Sequence, residues 1–168
     1  GDLATLHCSQ GRIPEALEHY QQALTVAREM GDRRNEGVHV GNLGDLLFSQ
    51  GDLLSAEAHL RDGIAIGDET WPIVAGAFRG SLALIRAQQG AFGEARALLA
   101  QAEPQVRGVH KLELGKLLCK KARVEHLAGD PAAASTVLAE AEAIAAELNV
   151  AADTELGQAL ATARSALG

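Results

Sequence analysis

Gly11, Gly51, Gly90, Gly129 and Gly168 are spaced at intervals of 40, 39, 39 and 39 residues. A fixed period of this length is the sequence signature of a stacked-repeat architecture, so the spacing constrains the fold more than any other feature of the chain. In register, Ser9-Gln10-Gly11 falls over Ser49-Gln50-Gly51, Leu3 over Leu43, Leu6 over Leu46 and His19 over His59. Seven residues before the first four glycines stand Ala4, Gly44, Ala83 and Ala122. Five residues after them come Ala16, Ala56, Ala95 and Ala134. Four further on are Tyr20, Leu60, Leu99 and Leu138, and three beyond those Ala23, Gly63, Ala102 and Ala141. Small and large apolar positions at spacings of three and four share one helical face. The small ones let neighbouring helices approach closely, and the large ones fill the space between layers.

Composition decides which secondary structure repeats. Hydrophobic residues make up 47% of the chain and aromatics only 3%, so the core is built from Leu, Ala, Val and Ile. Alternating strand patterns are absent and good helix formers dominate. Each period therefore predicts two helices, one running into the glycine and one starting after it. Gly51-Asp52 and Gly129-Asp130-Pro131 have the junction chemistry: glycine ends one helix in a left-handed turn, Asp caps the next, and proline suits a first turn. Gly31-Asp32 is a similar stop, and Thr70-Trp71-Pro72 a similar start. The predicted helices are 2–10, 13–30, 34–50, 53–67, 72–89, 92–103, 108–128, 131–148 and 153–167.

These columns resemble the tetratricopeptide repeat (TPR), in which helix A carries a large then a small residue and helix B carries Ala, an aromatic or Leu, then Ala. Leu43-Gly44 with Ala56, Leu60 and Gly63 matches best, followed by Leu82-Ala83 with Ala95, Leu99 and Ala102. The usual repeat is ~34 residues. The longer period here is similar to that of kinesin light chains, cell-polarity adaptors and large bacterial ATPase or kinase regulators. The resemblance implies an all-α, right-handed superhelical solenoid of antiparallel helix pairs: about four repeats (1–31, 32–69, 70–106, 107–149) and a cap (150–168) in one domain. Two departures stand out. Lys121 occupies the slot of Leu3, Leu43 and Leu82, which puts the packing of the fourth repeat in question, and the proline that normally closes helix B is missing. The short first helix and the stop at Gly168 suggest a module of a larger protein. Helix 153–167 is the expected cap, with Glu155, Gln158, Thr162 and Ser165 on its polar face.

Little in the chain suggests catalysis. It has no phosphate-binding glycine loop and no HExxH or CxxC spacing, so neither an enzyme nor a metal or cofactor site is expected. The histidines are scattered, with His19 and His59 at equivalent outer positions. Cys8 and Cys119 fall in helices three repeats apart, beyond disulfide reach. Unpaired thiols suit a reducing compartment, and the expected location is cytoplasmic. No apolar run is long enough to cross a membrane. A pI of 5.3, few aromatics and basic residues confined to one stretch argue against nucleic acid.

The resemblance implies instead a concave groove lined by A helices, where a peptide or partner helix lies. Carried over by position, repeat one gives Thr5 and Ser9. Repeat two gives Val38, Gly41, Asn42, Asp45 and Ser49, and repeat three Ala77, Gly80, Ser81, Leu84 and Gln88. Repeat four gives Lys116, Cys119, Lys120, Arg123 and Leu127. Asn42, Asp45, Ser49, Ser81, Leu84, Gln88, Lys116, Lys120 and Arg123 are the candidate contacts. A chaperone-tail carboxylate clamp is not expected, because a whole repeat separates Asn42 from Lys116 and Lys120.

The fourth repeat differs from the others in charge. Residues 107–126 hold Arg107, Lys111, Lys116, Lys120, Lys121 and Arg123 against only Glu113 and Glu125, in a chain of net charge −7. Lys116, Lys120 and Arg123 share one helical face, where like charges repel by a few tenths of a kcal/mol per pair. Two readings are open: a basic shelf for an acidic protein or peptide, or a solvated face compensated by acidic neighbours on adjacent helices. The expected function is a protein-interaction scaffold. The alternative is a regulatory, sensor or self-associating arm of a bacterial multidomain ATPase-type transcription regulator or kinase, with self-association through the terminal repeats.

Overall fold

Gly51, Gly90 and Gly129 all adopt left-handed backbone, with φ of 82°, 78° and 79°. A side chain there would cost about 1–2 kcal/mol, so the 39-residue period marks the positions where helices must stop. At Gly51 the stop is a double hydrogen bond: Gly51 N donates to Phe48 O at 3.0 Å and Asp52 N to Leu47 O at 3.1 Å. The same pair of bonds recurs at Gly31, Gly90, Gly129 and Asn149. Asp32, Asp52 and Asp130 then cap the following helices by accepting from Asn35 N, Ser55 N and Ala133 N.

The computed structural model describes residues 13–168. The expected helix 2–10, Cys8, Thr5 and Ser9 lie outside the described residues. Eight helices and no strand occur among those described: α1 Ile13–Glu29, α2 Arg33–Ser49, α3 Leu53–Thr70, α4 Pro72–Gln88, α5 Phe92–Val106, α6 Lys111–Leu127, α7 Pro131–Glu147 and α8 Glu155–Leu167. The all-α, paired-helix expectation holds.

Three boundaries differ from expectation by three residues, the others by two or fewer. α3 runs on to Thr70, with Ile66 and Gly67 buried beyond its midpoint. α5 passes through Pro104 to Val106, because Val106 is fully buried and Arg107 N still bonds Glu103 O at 2.8 Å. α6 begins at Lys111 rather than 108, because Gly108 has φ 78° and the His110 ring caps the helix by accepting from Glu113 N.

The chain divides into two compact units, the boundary falling after Phe78 within α4. In the first, α1 packs on α2 and α2 on α3, around a core of Ala16, Tyr20, Leu24, Val40, Leu43, Leu46 and Ile66. The backbones meet at the small slots: a Cβ on Gly63 would lie 2.8 Å from the Cα of Gly41. In the second, α6 packs against α5, α7 and α8, and α7 against α8. This is the neighbour pattern of stacked helix pairs.

The columns are buried as a repeat requires. Ala16, Ala56, Ala95 and Ala134 are each 0% exposed, and Gly44, Ala83 and Ala122 are buried. Tyr20, Leu60 and Leu99 are buried, and so are Gly63, Ala102 and Ala141. Ala23 and Leu138, in the first and last B helices, are only half-buried. Lys121 does not break the fourth repeat: its stem lies half-buried and its ammonium donates to Glu103 Oε2 at 2.8 Å. On α8, Leu156, Leu160 and Ala163 are buried, while Glu155, Gln158, Thr162 and Ser165 are exposed, as a terminal cap needs.

Candidate partner-binding surface

The candidate contacts fall into two sets, one in each unit. In the first unit Asn42 and Asp45 lie one turn apart on α2. Both are half-buried, and neither has a hydrogen bond or ion pair among the described residues. Ser49 is exposed and its hydroxyl donates to Leu46 O at 2.6 Å, so it serves its own helix end.

In the second unit α4 carries Ser81, Leu84 and Gln88. Leu84 is 1% exposed: it is core, and in this conformation it offers no contact to a ligand. Ser81 is buried too, and its Oγ accepts from Lys120 Nζ at 2.7 Å. Gln88 is exposed at the end of α4.

Most of the basic charge of residues 107–126 is met by nearby acids. Arg107 bonds Glu103 at 2.6 Å and Glu140 at 2.9 Å. Lys111 pairs with Glu147, and Lys121 with Glu103. Lys116 sits between Glu113 at 2.6 Å and Glu155 at 2.7 Å. Burial alone would lower the Lys116 pKa, but the two carboxylates outweigh it and raise it. Glu103 follows the same logic with opposite sign: burial pulls it up, and bonds from Lys121 and Arg107 hold it below the usual range. The compensated-face reading therefore describes these four residues.

Arg123 is the exception. It is half-buried one turn beyond Lys120 and has no hydrogen bond or ion pair to any described residue. Burial pulls its pKa below the usual arginine range, yet a guanidinium stays charged at any ordinary pH. The sequence grouped Lys116, Lys120 and Arg123 by shared helical face, whereas the structure separates them by what each already touches.

The structure also shows what sequence reasoning missed. Glu113 and Glu155 convert the Lys116 end of the face from basic to net acidic. Beside them a cleft of about 250 Å³ opens, lined by Leu112, Glu113, Lys116, Val150, Thr154, Glu155 and Leu156. Cys119 is buried and its thiol is pushed up to about 11 by that burial, so it is not a nucleophile. Among the described residues no group of His, Cys, Asp and Glu is placed to hold a metal ion. No described helix is long and apolar enough to cross a membrane.

Comparison with known proteins agrees with this architecture. A family model described as the MalT-like TPR region matches residues 1–168. No curated protein matches by sequence. Among solved structures, BtubC (BKLC) from P. vanneervenii is similar at TM-score 0.67 and 19% identity, over 89% of this chain. The match covers 63% of that protein, so the chain spans less than two thirds of its length. A putative kinesin light chain of Podosopora anserina with nearly identical TPR-like repeats is similar at TM-score 0.63 and 21% identity, over 98% of this chain and 83% of that one. A singly substituted form of that protein gives 0.62 at the same identity and coverage. At these identities the likeness is one of fold.

Proposed function

Because the chain belongs to the MalT-like TPR family, we propose that it is a protein-interaction module whose α6 face receives an anionic group of a protein partner at Arg123. Repeats of this type generally mediate protein contacts or act as regulatory arms. The observation that carries the reading is the state of Arg123: a half-buried residue whose guanidinium has no acceptor among residues 13–168. Its nitrogens are not sealed from water, so the group is charged and open to an acceptor on another chain. A carboxylate from another chain would restore two parallel charge-assisted bonds, the geometry for which guanidinium is best suited. Lys121, on the same helix, differs because Glu103 already holds it. A regulatory arm making the same contact within a longer polypeptide is the second reading, supported by a family defined as a region.

The test is fluorescence anisotropy with a labelled hexaglutamate peptide and its hexalysine counterpart, at low and physiological salt. Hexaglutamate should bind, weaken as salt rises, and lose about tenfold in affinity on Arg123→Glu. Lys121→Gln should change binding little. Equal binding of both peptides, or no effect of Arg123→Glu, would overturn the proposal.

A further inference from the structure

At the other end of α6 the surface has the opposite chemistry. We propose that the cleft beside Lys116 is a socket for one apolar side chain of a partner protein, flanked in that partner by basic residues. The inference is independent of the role given to Arg123.

Shape limits the occupant first. Leu156, on α8, is buried; Val150, in the α7–α8 turn, is half-buried; Leu112, on the first turn of α6, is 42% exposed. α6 and α8 come close at Gly115, where an added Cβ would lie 2.8 Å from a methyl of Leu156, which also lines the cleft. At about 250 Å³ the space exceeds the ~150 Å³ cavity that accepts benzene, yet falls below the ≈ 300–1,000 Å³ usual for cofactors and drug-sized ligands. A leucine, methionine or phenylalanine side chain fits that range.

One exposed apolar residue lines it, and two more lie close to its lining in sequence. Of the seven large hydrophobic residues exposed among those described, Leu112 lines the cleft and Val109 and Leu148 lie within three residues of its lining. Single exposed apolar residues need no explanation, but one lining an open cleft with others near it in sequence points to a contact surface.

Charge then selects the flanks. Lys116 is shared by Glu113 and Glu155, which leaves the rim net negative, and exposed Asp153 adds to it. At the α8 N-terminus Thr154 Oγ accepts from Gly157 N at 3.2 Å, and Glu155 in the first turn already supplies the negative charge that this helix end favours. Rim charges of this kind choose partners more than they add affinity.

The test uses methyl NMR of the whole chain with three acetylated, amidated peptides: Lys-Lys-Phe-Lys-Lys, Lys-Lys-Ala-Lys-Lys and Glu-Glu-Phe-Glu-Glu. The first should give saturable shifts at the Leu112, Val150 and Leu156 methyls. The alanine peptide should bind at least about tenfold more weakly, from the lost burial of the ring, and the glutamate peptide should leave these methyls unmoved. Glu155→Gln, at an exposed position that leaves the fold intact, should weaken the first peptide about three- to fivefold. Arg123→Glu should not, which separates this surface from the one above. The socket is refuted if the phenylalanine–lysine peptide moves none of these methyls, if the glutamate peptide binds as well, or if Glu155→Gln has no effect. Shifts that depend on protein concentration alone would assign the surface to a second copy of the chain and refute it equally.

Discussion

Replacing Gly44 with alanine tests whether the small columns hold the helices together. A Cβ at Gly44 would stand 2.8 Å from Leu60 Cγ, 2.9 Å from Leu60 N and 3.1 Å from Ala56 O. Two of those three atoms are backbone, so no rotamer change relieves the crowding, and α2 and α3 must part by several tenths of an ångström. Gly93, at the second position of α5, has nothing within 4 Å of the same added atom. Alanine gains helix propensity at both sites, up to about 1 kcal/mol and less in a first turn. The comparison therefore works against the packing term at Gly44 rather than for it. Overpacking costs about 1–3 kcal/mol, and in a chain of this size each kcal/mol moves Tm by about 2–4 °C. With about 0.5 kcal/mol of extra propensity gain at Gly44 subtracted, about 0.5–2.5 kcal/mol remains, so Gly44→Ala should melt below Gly93→Ala by roughly 1–10 °C. Far-UV circular dichroism measures the whole chain. Trp71, the single tryptophan, follows the first unit by fluorescence, and the loss should be at least as large there. Coincident melts for the two variants would mean that α2 and α3 do not touch at Gly44 and that the register is wrong.

Three further outcomes follow from local features. Ala91 holds the N-cap position of α5 with backbone angles close to those of Asp52 but offers no capping oxygen; Ala91→Asp should add about 1 kcal/mol, read as a Tm rise that Ala91→Leu does not reproduce. His39 is buried with Nδ1 unpartnered among the described residues, and burial lowers its pKa. The unfolded chain therefore takes up its proton first as pH falls through about 6.5, so stability should drop between there and the lower folded value. Trp71-detected melts at about pH 7.5 and 5.5 should show the drop, and His39→Leu should shrink it. With Cys8 changed to Ser, native Cys119 should resist a thiol-disulfide reagent, since a shift from 9.0 to about 11 leaves about 100-fold less thiolate; fast labelling of the folded chain would contradict its burial.

The fold was legible because the same residue types recur where the backbone has no alternative. A left-handed stop needs glycine, and a helix crossing at backbone contact needs alanine or glycine; both requirements leave a mark in a single sequence. What was less legible was anything that depends on a long side chain. Lys121 looked like damage to the fourth repeat because a leucine column predicts burial of the whole side chain. Its aliphatic stem in fact half-buries while the ammonium reaches Glu103. The helix expected over 92–103 runs on through Pro104, because one missing N–H does not outweigh the burial of Val106 two residues on. Leu84 was placed in a groove by position alone, whereas its apolar character, taken at face value, puts it in the core.

The charges on α6 teach a more specific lesson. Summing charge along residues 107–126 counts neighbours in sequence, but in a stacked array the neighbours that matter lie about one repeat away. Lys116 bonds Glu155 and Lys120 bonds Ser81, each at a separation of 39 residues; Lys111 reaches Glu147 at 36 and Arg107 reaches Glu140 at 33. The glycine spacing already contained that number. Stepping 39 residues either way from Lys116 or Lys120 finds the partner. The same step from Arg123 finds Leu84 and Thr162, neither of them a carboxylate. The period that sets where helices stop thus also locates the partners of Lys116 and Lys120, whereas Lys121 finds Glu103 at 18 residues and Arg123 has no acceptor among the described residues.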